Sequence, residues 1–126
     1  MSEGIQLLTT KDRERLTDDI IENIDDASAL LKSIANEKRI VILCRLMEGE
    51  KSVSELETML DLSQSALSQH LARLRAVKIV KTRRVAQTIF YSLNGEGAET
   101  ILAALHAIYN EPEQDIGLGA VRSSAA

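Results

Sequence analysis

The chain has 126 residues, 44% of them hydrophobic and 27% charged, with one cysteine and a formal net charge of −4. That length suits one folded domain; the lone Cys44 rules out an internal disulfide and fits a reducing cytoplasm, and no apolar run approaches the ~18 residues of a membrane span. Only Phe90, Tyr91 and Tyr109 are aromatic, which argues against a module that stacks single-stranded bases.

In chain order, residues 1–10 have no period and are expected to be mobile; they are polar and acidic rather than signal-like. Residues 11–24 predict a charged helix, with Leu16, Ile20 and Ile24 in a narrow apolar stripe. That stripe can pack on its own domain or on a second subunit. Residues 26–35 predict a second helix, capped by Asp26 and burying Leu30, Leu31 and Ile34. Residues 37–48 predict a strongly apolar third helix that stops at Gly49, and Cys44 within it reads most simply as a small core residue. Ser52 followed by Glu55 is a capping box for a short helix over 52–60.

A turn at Asp61-Leu62 leads to a helix over 63–76, with Ser63 as its cap. Leu67, Leu71 and Leu74 share one face of it, and the opposite face carries Ser65, Ser68, Gln69, Ala72 and Arg73. A solvated helix usually mixes Glu with Lys, whereas this one has no acid. Short polar side chains on an acid-free face suit the floor of a DNA major groove. Two helices joined by so short a turn make a helix-turn-helix. Residues 79–84 and 87–93 are β-branched and aromatic and predict a hairpin, a wing with Val85-Ala86 at its tip. After Asn94-Gly95, residues 96–109 return to a helical period, with Ile101, Leu102, Leu105 and Ile108 apolar. Pro112 and the Gly/Ser/Ala-rich remainder over 111–126 read as a flexible tail. The predicted domain therefore spans 11–110, a mainly α winged helix-turn-helix with a small β-hairpin.

Charge is divided unevenly along the chain. Residues 1–31 hold eight acidic side chains against Lys11, Arg13 and Arg15. Residues 62–95 hold Arg73, Arg75, Lys78, Lys81, Arg83 and Arg84 with no Asp or Glu. Phosphate contact depends on the local field, so a basic third between acidic ends fits a protein that presents one surface to double-stranded DNA. Ser63 would cap the recognition helix and let its first N–H groups meet a phosphate. Gln64, Ser65, Ser68 and Gln69 are the candidates for base edges, favouring A·T-containing half-sites, with Arg73 and Arg75 on the backbone. Lys81, Arg83 and Arg84 would bring the wing to the adjacent backbone or minor groove. A winged-helix protein-interaction module is the rival reading, and the retained basic surface argues against it. No Ser/His/Asp set, carboxylate pair or phosphate loop stands at a meaningful spacing, so no enzyme activity and no cofactor are expected.

The segments Leu31–Ile40, Ser52–Leu60, Ser63–Arg75 and Thr82–Tyr91 together resemble the ArsR/SmtB family of bacterial winged-helix repressors. The Ile42-Leu43-Cys44 run, the Gln64–Leu71 run and the Leu105–Tyr109 ending are most similar to its NolR/BigR/HlyU-like branch. The resemblance implies a homodimer, with the first and last helices at the interface and an imperfect palindrome as operator. The stripes Leu16, Ile20, Ile24 and Ile101, Leu105, Ile108 fit such an interface. It also implies a cytoplasmic repressor, associated with the nucleoid when bound to DNA.

Metal sensing, the family's best-known activity, is not expected. The thiolate site would need sulfur where this chain has Val53-Ser54-Glu55, and no histidine follows His106 to complete a site in the last helix. One His per subunit does not close a tetrahedral shell, so His106 reads as packed or interfacial. His70, at the core-side edge of the recognition helix, reads as structural. Sulfur-responsive relatives pair a cysteine at the place of Cys44 with a second one in the last helix, where this chain has Asn110. A bridge within one subunit is thus impossible, and only a sulfenate or mixed disulfide at Cys44 stays open as a redox function.

Overall fold

A threonine fixes where the first helix begins. Thr9 Oγ1 accepts the Asp12 N–H at 3.0 Å and the Asp12 carboxylate accepts the Thr9 N–H at 3.3 Å, a capping box that opens α1 (Thr10–Glu22). The computed structural model describes residues 8–110, so the expected mobile stretch shortens at Thr9, and the expectations for 1–7 and 111–126 lie outside the described residues. No side chain of α1 is buried. The chain breaks at Asn23, whose Nδ2 donates to Asp19 O at 2.8 Å, and α2 (Ile24–Ile34) follows. Three expectations are corrected here. Asp26 is not the cap but a first-turn residue of α2, and Ile24 begins α2 instead of ending the stripe of α1. Leu31 is also not buried; it is 61% exposed, while Ile34 turns inward, because α2 has only one packed face.

Asn36 Oδ1 accepts the Arg39 N–H at 3.1 Å and starts α3 (Glu37–Met47). Its buried seam is Arg39, Ile42, Leu43 and Leu46. Cys44 falls on the other side with the exposed Val41 and Met47, so the expectation of a core cysteine is overturned by helical period. Gly49, at φ +135°, turns the chain out of α3 where an L side chain would be strained.

Strand β1 (Lys51–Ser52) leads directly into α4 (Val53–Met59). The anticipated capping box is present: Ser52 Oγ accepts the Glu55 N–H at 3.0 Å and Glu55 Oε1 accepts the Ser52 N–H at 2.7 Å. Helix α5 (Gln64–Ala76) then packs Leu67, Leu71 and Leu74 fully inward. Each such leucine contributes about 1.5–3 kcal/mol by leaving water. Together with Ile34, Ile42, Leu43, Leu46, Leu56, Ile79, Val80 and Ala98 they form one core.

Helix α5 ends in a Schellman motif: the Lys78 N–H donates to Arg75 O at 2.9 Å and the Ile79 N–H to Leu74 O at 3.3 Å. The left-handed residue is Lys78, at φ +63°, where glycine is usual. Strands β2 (Val80–Val85) and β3 (Thr88–Leu93) form the hairpin, with Val85 opposite Thr88. Its tip is Ala86-Gln87, one residue later than expected, and Ala86 is left-handed at φ +56°. The hairpin is part of a three-stranded antiparallel sheet in the order β1-β3-β2; β1 was too short to carry a period. Helix α6 (Gly97–Tyr109) buries Ala98 and leans Ile101 and Leu102 on the core. Among the described residues, no helix is long and apolar enough to cross a membrane.

Candidate nucleic-acid interface

The same leucines that anchor α5 decide which of its side chains face out. With Leu67, Leu71 and Leu74 buried, Ser63, Gln64, Ser65, Ser68, Gln69, Arg73 and Arg75 are all exposed. Ser63 Oγ accepts the Ala66 N–H at 3.1 Å and lies 3.4 Å from Ser65 Oγ, so the expected cap is formed. The polar side chains divide between two flanks. Gln64, Ser68 and Arg75 help line a groove of about 660 Å³ whose far wall is Gln87, Thr88, Ile89 and Tyr91 of the wing. Ser65, Gln69 and Arg73 lie further round the helix, away from the wing.

Strand alternation separates the wing cations. Arg84 stands opposite Ile89 in the register and shares the groove-side face with Thr82 and Tyr91. Lys81 and Arg83 stand on the other face, opposite Ser92 and Phe90. Lys81 and Arg84 are exposed. Arg83 is committed instead: its Nε and Nη2 donate to Glu50 at 2.7 and 2.8 Å, and its guanidinium carbon lies 5.0 Å from the Phe90 ring centroid. The hydrogen bond from Arg83 holds the Glu50 carboxyl below its ordinary range, and Glu50 in turn raises Arg83.

The acid-free stretch 62–95 therefore does not give an acid-free surface. Tertiary structure brings two carboxylates to its margins from outside the stretch, Glu50 on the wing and Glu57 of α4 at the groove.

A second arrangement, not anticipated in the sequence, fastens α5 from behind. Arg39 is only 8% exposed and, among the described residues, makes no ion pair with a carboxylate. Its Nε donates to Ser33 O, its Nη2 to Lys32 O at 3.4 Å, and its Nη1 to His70 Nδ1 at 3.1 Å. The two carbonyls belong to the last turn of α2, where acceptors lack helical partners and a cation is favoured. Because arginine only donates, His70 Nδ1 accepts, and the neutral ring carries its proton on Nε2. Burial is the main cause holding the His70 pKa below its ordinary value, with repulsion from Arg39, Arg73 and Lys38 adding to it. His70 thus has the structural role expected of it. The only sequence signal for its partner is an arginine three residues after the capping Asn36.

The expected interface residues divide in two. Leu16, Ile20 and Ile24 are 50%, 45% and 52% exposed, and Ile101, Leu105 and Ile108 are half-buried, Ile101 against the chain's own core. Cys44 is exposed on α3. His106 is exposed on α6, and among the described residues no group of three or more His, Cys, Asp or Glu is placed to hold a metal ion.

Comparison with known proteins places this arrangement. Residues 36–82, from the cap of α3 to the start of the wing, match the family model described as bacterial regulatory protein, arsR family. The transcriptional activator HlyU of Vibrio cholerae is 48% identical over 93 residues, which is 74% of this chain and 86% of that protein. A biofilm growth-associated repressor of Agrobacterium fabrum is 44% identical over 91 residues, 72% of this chain and 78% of that one. The crystal structure of NolR from Sinorhizobium fredii superposes with a TM-score of 0.66 at 42% identity, covering 83% of this chain and 97% of that one.

Proposed function

We propose, on the premise that this chain belongs to the ArsR family of bacterial regulatory proteins, that it is a repressor that binds a palindromic operator in double-stranded DNA as a homodimer. It is a transcriptional regulator and not an enzyme. The observation that carries the reading is the continuous exposed surface of α5 and the wing. That surface presents hydrogen-bonding side chains without an acid on α5, and cations at both ends.

On this reading Gln64, Ser65, Ser68 and Gln69 meet base edges in the major groove, where Gln pairs bidentately with adenine. Arg73, Arg75 and Arg84 meet phosphates and set the register. The N-terminus of α5, capped by Ser63, offers first-turn N–H groups to the backbone.

The homodimer is supported by α1. A helix of 13 residues with none buried is marginal in water by itself. Covering Leu16, Ile20 and the neighbouring Ile21 against a second copy would supply the missing apolar burial. Metal sensing is not part of the reading, since the donor set at 53–55 and beyond His106 is missing from the sequence.

The exposed thiol of Cys44 favours a second reading, a repressor responsive to redox or reactive sulfur. With one cysteine, a hydroperoxide would give a sulfenate with release of the alcohol, and a low-molecular-weight disulfide would give a mixed disulfide with release of one thiol. Fluorescence anisotropy with DNA from upstream of its own reading frame, against a scrambled duplex in a salt series, tests both. Preference for the upstream duplex with a steep salt dependence is expected. Equal or absent binding overturns the repressor, and unchanged binding after oxidation of Cys44 overturns the second reading.

A further inference from the structure

The cluster of Glu50, Arg83 and Phe90 is not explained by phosphate contact. Strands β1 and β2 lie on opposite edges of the sheet with β3 between them, so no backbone hydrogen bond joins them. The register nonetheless aligns a row across all three strands: Ser52 stands opposite Phe90, and Phe90 opposite Arg83. Glu50, two residues before Ser52, reaches across β3 to take the Arg83 fork at 2.7 and 2.8 Å. The guanidinium lies over the Phe90 ring on the strand being crossed. A strap therefore runs from the α3–β1 connection over β3 to the far edge.

Its place in the fold gives it work. The core holds the base of the hairpin through Val80 and Leu93, while Val85 and Ala86 at the tip are exposed. The strap joins halfway along β2, next to Arg84 on the opposite sheet face. A guanidinium held bidentately by a carboxylate has its charge matched and its fork direction fixed, which suits it poorly to phosphate and well to holding a strand. We propose that Glu50 and Arg83 are positioning residues for DNA binding: the strap sets the angle of the wing, so that Arg84 reaches the backbone while Arg83 takes no phosphate.

This rests on the DNA-binding reading, and the test keeps the two apart. The full chain is compared with Glu50→Gln, Arg83→Gln, the double variant and the charge swap Glu50→Arg/Arg83→Glu. Affinity for a random-sequence DNA duplex is read by anisotropy across a salt series. Each single variant is expected to lose about twofold to fivefold in affinity, the range for an exposed ion pair. The double variant should lose no more than either single one, and the swap should recover most of the loss. The salt slope of Arg83→Gln should equal that of the unaltered chain.

A slope flatter by about 0.9, one phosphate, with tighter binding by Glu50→Gln would overturn the proposal and make Arg83 a phosphate ligand restrained by Glu50. Unchanged affinity in both single variants would overturn it as well. Failure of the unaltered chain to bind any duplex would instead remove the DNA reading itself. Both positions changed lie at the surface, and matched thermal melts verify that each variant is folded.

Discussion

Replacing Arg39 with methionine sets two large effects against each other. Arg39 is 8% exposed and, among the described residues, no acid pairs with it to offset its desolvation, so its burial alone costs several kcal/mol by the general behaviour of buried ions. Methionine removes that cost and keeps the volume. It also strips the donors from the Ser33 carbonyl and from His70 Nδ1, while the 3.4 Å contact to Lys32 O counts for little. Each orphaned acceptor costs about 1–3 kcal/mol, and the α2 terminus loses a favourable cation worth up to about 1 kcal/mol. Ser33 and His70 are half-buried, so their freed acceptors are rehydrated only in part. The acceptors should therefore win, with a net loss of about 2 kcal/mol. At about 4–8 °C per kcal/mol for a domain of this size, Tm should fall by roughly 10 °C in circular-dichroism melts at fixed protein concentration. Arg39→Lys should fall between the two, since one ammonium does not reproduce a fork. A methionine variant as stable as the unaltered chain would refute the reasoning and show that Arg39 is a net cost.

Lysine at φ +63° in the turn after α5 carries left-handed strain, so Lys78→Gly should stabilise the fold by about 0.5–1 kcal/mol; a lower Tm would show that the side chain does more there than strain the turn. The lowered pKa of His70 has a definite sign. Above the ordinary value of about 6.5 both folded and unfolded states hold the ring neutral; below it the unfolded state takes up the proton first, so stability falls with acid until the folded ring also protonates. Denaturant titrations between about pH 7.5 and pH 5, the range in which imidazole titrates, should show this decline, and His70→Gln should flatten it; an equal decline in the variant would place its origin elsewhere. Leu16→Asp with Ile20→Asp should convert the proposed dimer to monomer in sedimentation velocity, and an unchanged mass would move the proposed interface away from α1.

The fold was legible wherever one signal sufficed. The leucine period of α5, the Ser52/Glu55 capping box and the β-branched wing each identified an element within a residue or two. Errors arose where neighbours decided. Asn23 rather than Asp26 breaks the first long helical stretch, its side chain turning back to Asp19 O, and β1 is only two residues long and exists through its pairing with β3. Cys44 is exposed because α3 has one buried seam, and the apolar content of a helix does not say which face is packed. At the interface, the exposed residues of α5 were readable from their opposition to the leucines. Glu50 and Arg39 were not, because each acts on a residue more than thirty positions away, Arg83 and His70.

The order β1-β3-β2 leaves β2 at the margin of the sheet. Its outward backbone N–H and C=O groups are a template on which a strand from another molecule can add. Lys81 and Arg84 place like charge along that margin while the charge of Arg83 is matched by Glu50, so two wings that approach side by side repel. The cations suited to nucleic acid thus also keep the protein from polymerising through its wings. A variant stripped of Lys81 and Arg84 to weaken DNA binding would be prone to aggregate in the absence of any DNA.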